Sequence, residues 1–450
     1  MSRFRGGRYG EGRRAATRSR ASCLAAALLS TLAGGCGRTR TVAEEVAPAP
    51  EHPATALGNR RAGGIDPPGT AAVDAHPQAA GTAEATGETT TGAQGLFDEV
   101  WAVFDRTYPY FVHKGIDWAA VRERHRPEFA SPLEPRAFAE RLGVVLAELH
   151  DWHVQVTAPD GTVYGYSTEY PRNFPTTPRN RYAPRGYRTL GDRVVWHAWL
   201  EGQIAYVRID SLEAAAFASI PDADIEALFA EYRGAKGFVV DLRPNNGGDE
   251  RVARRFASHF TTEPRVYGYT RVRSGPGHGD LGPAQAKTLE PAATNLFAGP
   301  TAVLVGRRCM SSAEWFVLMM RACPNVRLVG DRTRGASGNP EQRTLPNGVS
   351  YTVSTWVALT PEGEPIEDRG IAPDVPVDPQ RSLDEAHDYV LEKALELLRS
   401  QGGGHDAAAA TVRPPPAPRN PDAGEAPAEE FQPLPPGFEP LPPDFDPLRE

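Results

Sequence analysis

Cysteine is scarce in this chain, with four among 450 residues, which excludes a disulfide-stapled scaffold. Cys23 and Cys36 fall near the N-terminus, leaving Cys309 and Cys323 for the folded part. A helix over residues 312–322 would cover roughly 16 Å, against the roughly 7 Å Cα separation a disulfide tolerates, so two free, mostly buried thiols are expected. Long apolar runs are lacking too. The stretch from Leu24 to Leu32 falls short of the ~20 residues that span a bilayer, and nothing later approaches that length, so the chain is not polytopic. Outside the Arg-rich N-terminus there is no sustained basic block, and the net charge is -8, which argues against nucleic acid as the main partner. Lysine is absent between residues 288 and 392.

Both ends differ in composition from a globular domain. Residues 1–36 combine a basic region (Arg3 to Arg20), the short apolar stretch and Leu32-Ala33-Gly34-Gly35-Cys36. This resembles a bacterial lipoprotein signal, and the resemblance implies export, cleavage before Cys36, lipid attachment to its thiol, and residence in the cell envelope. Residues 37–92 are rich in Ala, Thr, Pro and Gly without apolar periodicity and read as a flexible linker, and residues 401–450 read as a disordered Pro-rich tail.

Within the remainder, residues 93–156 predict a helical subdomain. Phe97, Val100, Trp101 and Phe104 share one face, and Phe138, Leu142, Val145, Leu146 and Leu149 another. His150 falls in a last helical turn, where a cation suits the exposed carbonyls, whereas His153 lies just past it, before the alternating Val154-Gln155-Val156. Residues 157–202 read as a connecting loop or hairpin region. From 203 to 400 strands and helices alternate: 204–209, a helix near 221–233, 237–242, a helix near 249–260, 301–305, a helix over 312–322, 326–329, strand near 349–359, and a last helix over about 382–399. That alternation predicts an α/β core.

Two joints in this core could carry chemistry. Arg307-Arg308-Cys309-Met310-Ser311-Ser312-Ala313-Glu314 places serine hydroxyls where the apolar strand 302–305 becomes a helix, beside free main-chain N–H groups. Either serine could instead simply cap that helix, with Glu314 a favourable charge at its start. Asp241-Leu242-Arg243-Pro244-Asn245-Asn246-Gly247-Gly248 ends a buried strand in paired glycines that can turn N–H groups towards a substrate. A serine nucleophile needs a base, and His153 is the imidazole that no helix-end argument accounts for.

Together these residues resemble the C-terminal processing (tail-specific) serine peptidase family, in particular its tricorn-like branch without a PDZ domain. The anchors are Leu149-His150-Asp151-Trp152-His153, the Asp241 to Gly248 turn, Ser311-Ser312-Ala313-Glu314, Gly330-Asp331-Arg332-Thr333-Arg334-Gly335 and Glu367-Asp368-Arg369-Gly370-Ile371-Ala372-Pro373-Asp374. The resemblance implies a crotonase-like (ClpP/crotonase-type) α/β core and peptide-bond hydrolysis of peptides or unfolded proteins through a Ser-His-Glu acyl-enzyme mechanism, without metal or organic cofactor. It places the nucleophile at Ser311, with Ser312 as fallback, the base at His153 and the orienting carboxylate at Glu367, with Asp368 its neighbour and competitor. The oxyanion hole falls to Gly247 or Gly248 with Ser312.

Two departures stand out. The lysine used by one branch of the family is replaced by Ala336, and Trp152 stands where the tricorn-like branch has a serine supporting the histidine. The rivals are a catalytically inactive ligand- or peptide-binding protein on the same fold, and, by fold analogy alone, an acyl-CoA enzyme.

Overall fold

The computed structural model describes residues 92–402, apart from residue 385. The leader, Cys36, nearly all of the linker and most of the C-terminal tail lie outside the described residues.

Seven strands form the central sheet, and their spatial order follows their order in the chain: 188–190, 195–200, 204–209, 237–241, 301–305, 326–330 and 375–376. The first three run antiparallel to one another; from 204–209 onward every neighbouring pair is parallel. A parallel sheet must be covered on both faces, and these strands are apolar on both. Phe238, Val240, Val303, Val305 and Leu328 face the helices Asp222–Glu231, Glu250–Ala257 and Ser312–Ala322, while Val239, Ala302, Leu304 and Val329 pack on the last helix, Tyr389–Gly402. Ser312–Ala322 is buried almost all round, because a second layer, the strands Arg265–Val272, Gln285–Leu289 and Trp356–Leu359, covers its far side through Trp315 and Tyr267.

The helices Ala93–Thr107, Phe111–Lys114, Trp118–His125 and Pro135–Ala147 build a second apolar core. Phe97, Phe104, Trp118, Phe138 and Leu142 fill it against the four-stranded sheet whose order is 340–344, 350–354, 155–157, 163–165. That sheet joins a strand from just after His153 to strands from beyond residue 340, so it draws the two histidine-flanking ends of the chain to the core's C-terminal half.

Several expectations shift. The sheet begins at Arg188, within the stretch read as a connector, because Val195–Leu200 is a strand paired residue for residue with Ile204–Ile209. Strands 265–272 and 285–289 were not anticipated, and the last helix starts at Tyr389 rather than near 382. His150 is not in a helical turn: the helix ends at Ala147, and His150 has φ 47°. Cys309 and Cys323 are free and buried.

The Arg243 guanidinium, wholly buried, ties the central sheet to the last helix. It donates to both oxygens of Asp241 (2.9 and 2.7 Å), both oxygens of Asp388 (2.8 and 2.9 Å) and Asn173 O (2.7 Å). Removing one partner of such a buried set strands the others, so Arg243→Ala is expected to cost about 3–5 kcal/mol. Urea unfolding checks this; a loss below about 1 kcal/mol, the scale of an exposed pair, would contradict it.

Candidate active site

The strand Thr301–Val305 and the helix Ser312–Ala322 meet at a tight turn. Cys309 pins it by donating its Sγ–H to Leu242 O (2.8 Å). Ser311 then takes φ 57°, ψ -130°, a left-handed conformation that a side-chain-bearing residue adopts at a cost of about 1–3 kcal/mol. Its N–H donates to Ala336 O (2.7 Å), and its carbonyl accepts from Glu314 N (2.8 Å) and Trp315 N (3.3 Å). A serine raised on a strained strand-to-helix turn is the local geometry of an exposed nucleophile.

Glu314 stands in the first turn of the helix, as expected, and is fully buried. Its carboxylate accepts from Thr333 Oγ1 (2.6 Å), Gly335 N (2.8 Å) and Ala336 N (3.0 Å), which holds the 333–336 segment against the Ser311 turn. Burial pushes its carboxyl up to about 7, with these hydrogen bonds pulling the other way.

The glycine turn lies beside the serine turn. A Cβ on Gly247 would sit 2.8 Å from Ser311 Cβ and 3.0 Å from Ser312 N, so only glycine fits there. The Gly247 N–H is already engaged by Asn245 Oδ1 (2.8 Å). Leu212 bridges to Gly248 by donating to Gly247 O (2.9 Å) and accepting from Asp249 N (2.8 Å), a parallel pattern that leaves the Gly248 N–H outside the bridge. Ser312 Oγ donates to Gly248 O (2.6 Å). Of the two glycines, Gly248 is the one with an N–H to offer, alongside the first-turn N–H of Ser312.

His153 shares with these groups a cleft of 580 Å³ lined also by Trp152, Met310, Ser311, Ser312, Trp315, Ser337 and Trp356. Its backbone is fixed by Asp151, whose Oδ1 accepts from His153 N (2.8 Å), and by Thr352 Oγ1, which donates to His153 O (2.6 Å). Asp151 is itself fully buried and accepts from Ser354 Oγ (2.8 Å). Desolvation lowers the imidazole's pKa below its ordinary value, although Asp151 pulls it upward. Nδ1 lies 4.0 Å from Asp151 Oδ1 and 3.4 Å from Gly338 N, while Nε2 is buried without a hydrogen-bond partner.

Glu367 is buried, and its carboxylate accepts from Ser337 N (2.9 Å) and Ser337 Oγ (3.1 Å) and faces Lys114 Nζ at 3.4 Å. Burial first, then Asp151, raises its pKa, and Lys114 opposes this. It thus meets the 337–338 segment that touches His153, not the imidazole directly. Asp368 sits apart, ion-paired to Lys114 (2.6 Å) and near His113 (3.5 Å). Trp152 carries the Arg334 guanidinium over its ring at 3.9 Å. Asp151, Ser337 and Lys114 are the neighbours that sequence reasoning missed; Asp151 alone had a signal, standing two residues before the histidine. Among the described residues no group of three or more His, Cys, Asp or Glu side chains gathers as metal ligands would, and no helix is long and apolar enough to cross a membrane.

Comparison with known proteins bears on this arrangement directly. Residues 203–377 match Peptidase family S41, and residues 91–131 match the tricorn protease C1 domain. Over residues 203–377 the chain is similar to peptidase family S41, and these matches support a C-terminal processing peptidase of that kind. It is 27% identical over 189 residues to the carboxy-terminal processing protease CtpA of Bacillus subtilis, covering 42% of this chain and 38% of that protein. It is likewise 27% identical over 199 residues to the carboxyl-terminal-processing protease of Synechocystis, covering 43% of this chain and 44% of that one. It therefore spans about two fifths of the length of these curated relatives. The crystal structure of a candidate peptidase from Parabacteroides merdae superposes with a TM-score of 0.61 at 29% identity, over 68% of this chain and 96% of that one. Mature CPAF in complex with lactacystin, at 11% identity and a TM-score of 0.53, shares the fold.

The glycine turn makes a sharp demand. A Cβ on Gly248, at φ 135°, would fall 2.2 Å from Leu212 C and 2.4 Å from Glu213 N, so Gly248→Ala must displace the main chain there. Loss of that single donor is expected to lower kcat about 100-fold or more, with KM little changed. Steady-state kinetics on a fluorogenic peptide decide it; a kcat within about threefold of the parent would remove Gly248 from the site.

Proposed function

We propose that the protein is a serine peptidase that cleaves peptides or unfolded proteins through an acyl-enzyme, with Ser311 as nucleophile, His153 as base and Glu367 supporting the base through Ser337. The observation that carries this reading is the convergence of a strained serine, a buried imidazole and the Gly248 and Ser312 N–H groups on one cleft.

In the attack, Ser311 Oγ bonds to the scissile carbonyl carbon while its proton passes to His153. The carbonyl oxygen, now an oxyanion, is held by the N–H groups of Gly248 and Ser312, the latter aided by the helix dipole. Collapse of the intermediate breaks the C–N bond, and the imidazolium returns the proton to the leaving amine. Water then repeats the sequence on the ester and frees Ser311.

The imidazolium formed midway is a cation in a buried site, and Asp151 at 4.0 Å is the carboxylate that meets it. Glu367 acts at one remove. By anchoring both the N–H and the hydroxyl of Ser337 it fixes the segment whose next N–H, Gly338, approaches Nδ1. This chain has no serine before its histidine, and the Ser337–Glu367 pair offers the polar support that position would have given. The leader of residues 1–36 favours export to the cell envelope with a lipid anchor at Cys36, which makes unfolded envelope proteins the natural substrates.

Ser311→Ala is expected to abolish cleavage of reduced, carboxymethylated casein, His153→Ala to lower kcat by about 10³-fold or more, and Ser312→Ala to retain activity within about tenfold. Electrophoresis of the digests reads this, and full activity in Ser311→Ala would end the proposal. Because the base must be neutral and its pKa is lowered, kcat/KM should hold as pH falls through the ordinary imidazole range, declining only below about 6.5. An acid limb centred above pH 7 would contradict that assignment.

A further inference from the structure

Beside the cleft stands a guanidinium that makes no ion pair among the described residues. The Arg334 guanidinium lies over the ring of Trp152 at 3.9 Å and also over that of Tyr170 at 5.2 Å. Its Nε and Nη1 are buried and make no hydrogen bond. Among the described residues, Arg265, Arg273 and Arg343 also have a buried Nε outside any hydrogen bond. Each of these pairs another guanidinium nitrogen with a carboxylate or a carbonyl. Arg334 pairs none.

The nearby carboxylates are already committed. Asp331 takes Arg307 Nε (3.1 Å) and the N–H of Arg332 (2.7 Å), and Glu314 is saturated by its three donors. Burial lowers the pKa of Arg334, Tyr170 and Glu314 pull it back up, and the neighbouring charges of Arg308 and Arg307 push it down again. A partly desolvated guanidinium without an acceptor is costly, and stacking on an aromatic ring offsets only part of that cost.

Its position relates it to the chemistry. The Arg334 main-chain N–H donates to Cys309 O (2.8 Å), two residues before Ser311, and its stacking partner Trp152 lines the cleft next to His153. A planar fork of donors fixed by an aromatic ring suits a carboxylate in bidentate geometry.

We propose that Arg334, spread on Trp152 and backed by Arg307 and Arg308, forms an anion subsite beside Ser311 that takes a carboxylate of the peptide substrate. The proposal rests on the peptidase reading for the word substrate, but the subsite itself is a matter of binding. Trp152 then has a task of its own, as the platform that holds the guanidinium fork open. The carboxylate has two sources, a free C-terminus or an acidic side chain.

Binding to full-length Ser311→Ala, followed by tryptophan fluorescence, separates them. Three alanine–leucine peptides of one length are compared: one with a free C-terminal carboxylate, one amidated, and one amidated with an internal glutamate. At least one carboxylate-bearing peptide is expected to bind about tenfold or more tighter than the neutral amide, as one charge-assisted pair provides, and which one does so names the source. Arg334→Gln in the same background should erase the preference, bringing the carboxylate-bearing and neutral peptides to within about twofold of one another. Equal binding of all three peptides, or no binding of any, overturns the subsite, and so does a preference that survives Arg334→Gln. Fluorophosphonate labelling of wild type is run in parallel: label without carboxylate preference sinks the subsite and spares the peptidase, while preference without label does the reverse.

Discussion

The hydrogen bond from Ser311 N–H to Ala336 O is the interaction on which the cleft depends. A serine at φ 57° is strained, and the strain persists only where surrounding contacts over-determine it. Here the contacts come in pairs. The Ala336 carbonyl holds the serine turn, the buried Glu314 holds Ala336 and Gly335 by their N–H groups, and Glu314 belongs to the helix that the serine turn begins. The Ser311 turn and the 333–338 segment therefore clamp one another, and within that segment Ser337 and Gly338 meet Glu367 and His153. One stretch of six residues thus connects serine, histidine and both buried glutamates.

Electrostatics in this region follow from burial. Glu314, Glu367 and Asp151 are all withdrawn from water close to His153 and Ser311, and the only way to keep such carboxyls there is to give each several donors. Glu314 has three; Asp151 has a main-chain N–H and a serine hydroxyl; Glu367 has Ser337 twice and Lys114. The helical subdomain supplies Lys114, so the N-terminal helices take part in charging the site as well as covering it.

Much of this was legible in the chain. The apolar run 302–305 followed by helically spaced Phe316, Met319, Met320 and Cys323 predicted the strand-to-helix joint, and the observed helix starts at Ser312 as expected. The paired glycines after Asp241 pointed to main chain that comes close to a substrate; in the fold Gly247 lies against Ser311 and Ser312, and Gly248 against Leu212 and Glu213. What escaped had weaker local signals. Val195–Leu200 interleaves Trp and His with apolar residues, which blurs a strand pattern, and Arg265–Val272 contains Gly268, a residue that weakens a strand reading though it is there to admit Trp315. Glu314 looked like a helix-start charge because sequence shows position along the helix and not what lies over it. The partnership of Glu367 with Ser337 joins residues 30 apart across a turn that no periodicity encodes.

The most direct test of the whole account is a crystal structure of the protein after reaction with a small fluorophosphonate. Phosphorus bonded to Ser311 Oγ, with its phosphoryl oxygen within hydrogen-bonding distance of the Gly248 and Ser312 N–H groups and His153 beside the adduct, is the expected result. An adduct on another residue, or on Ser311 with its oxygen turned away from both amides, would contradict it.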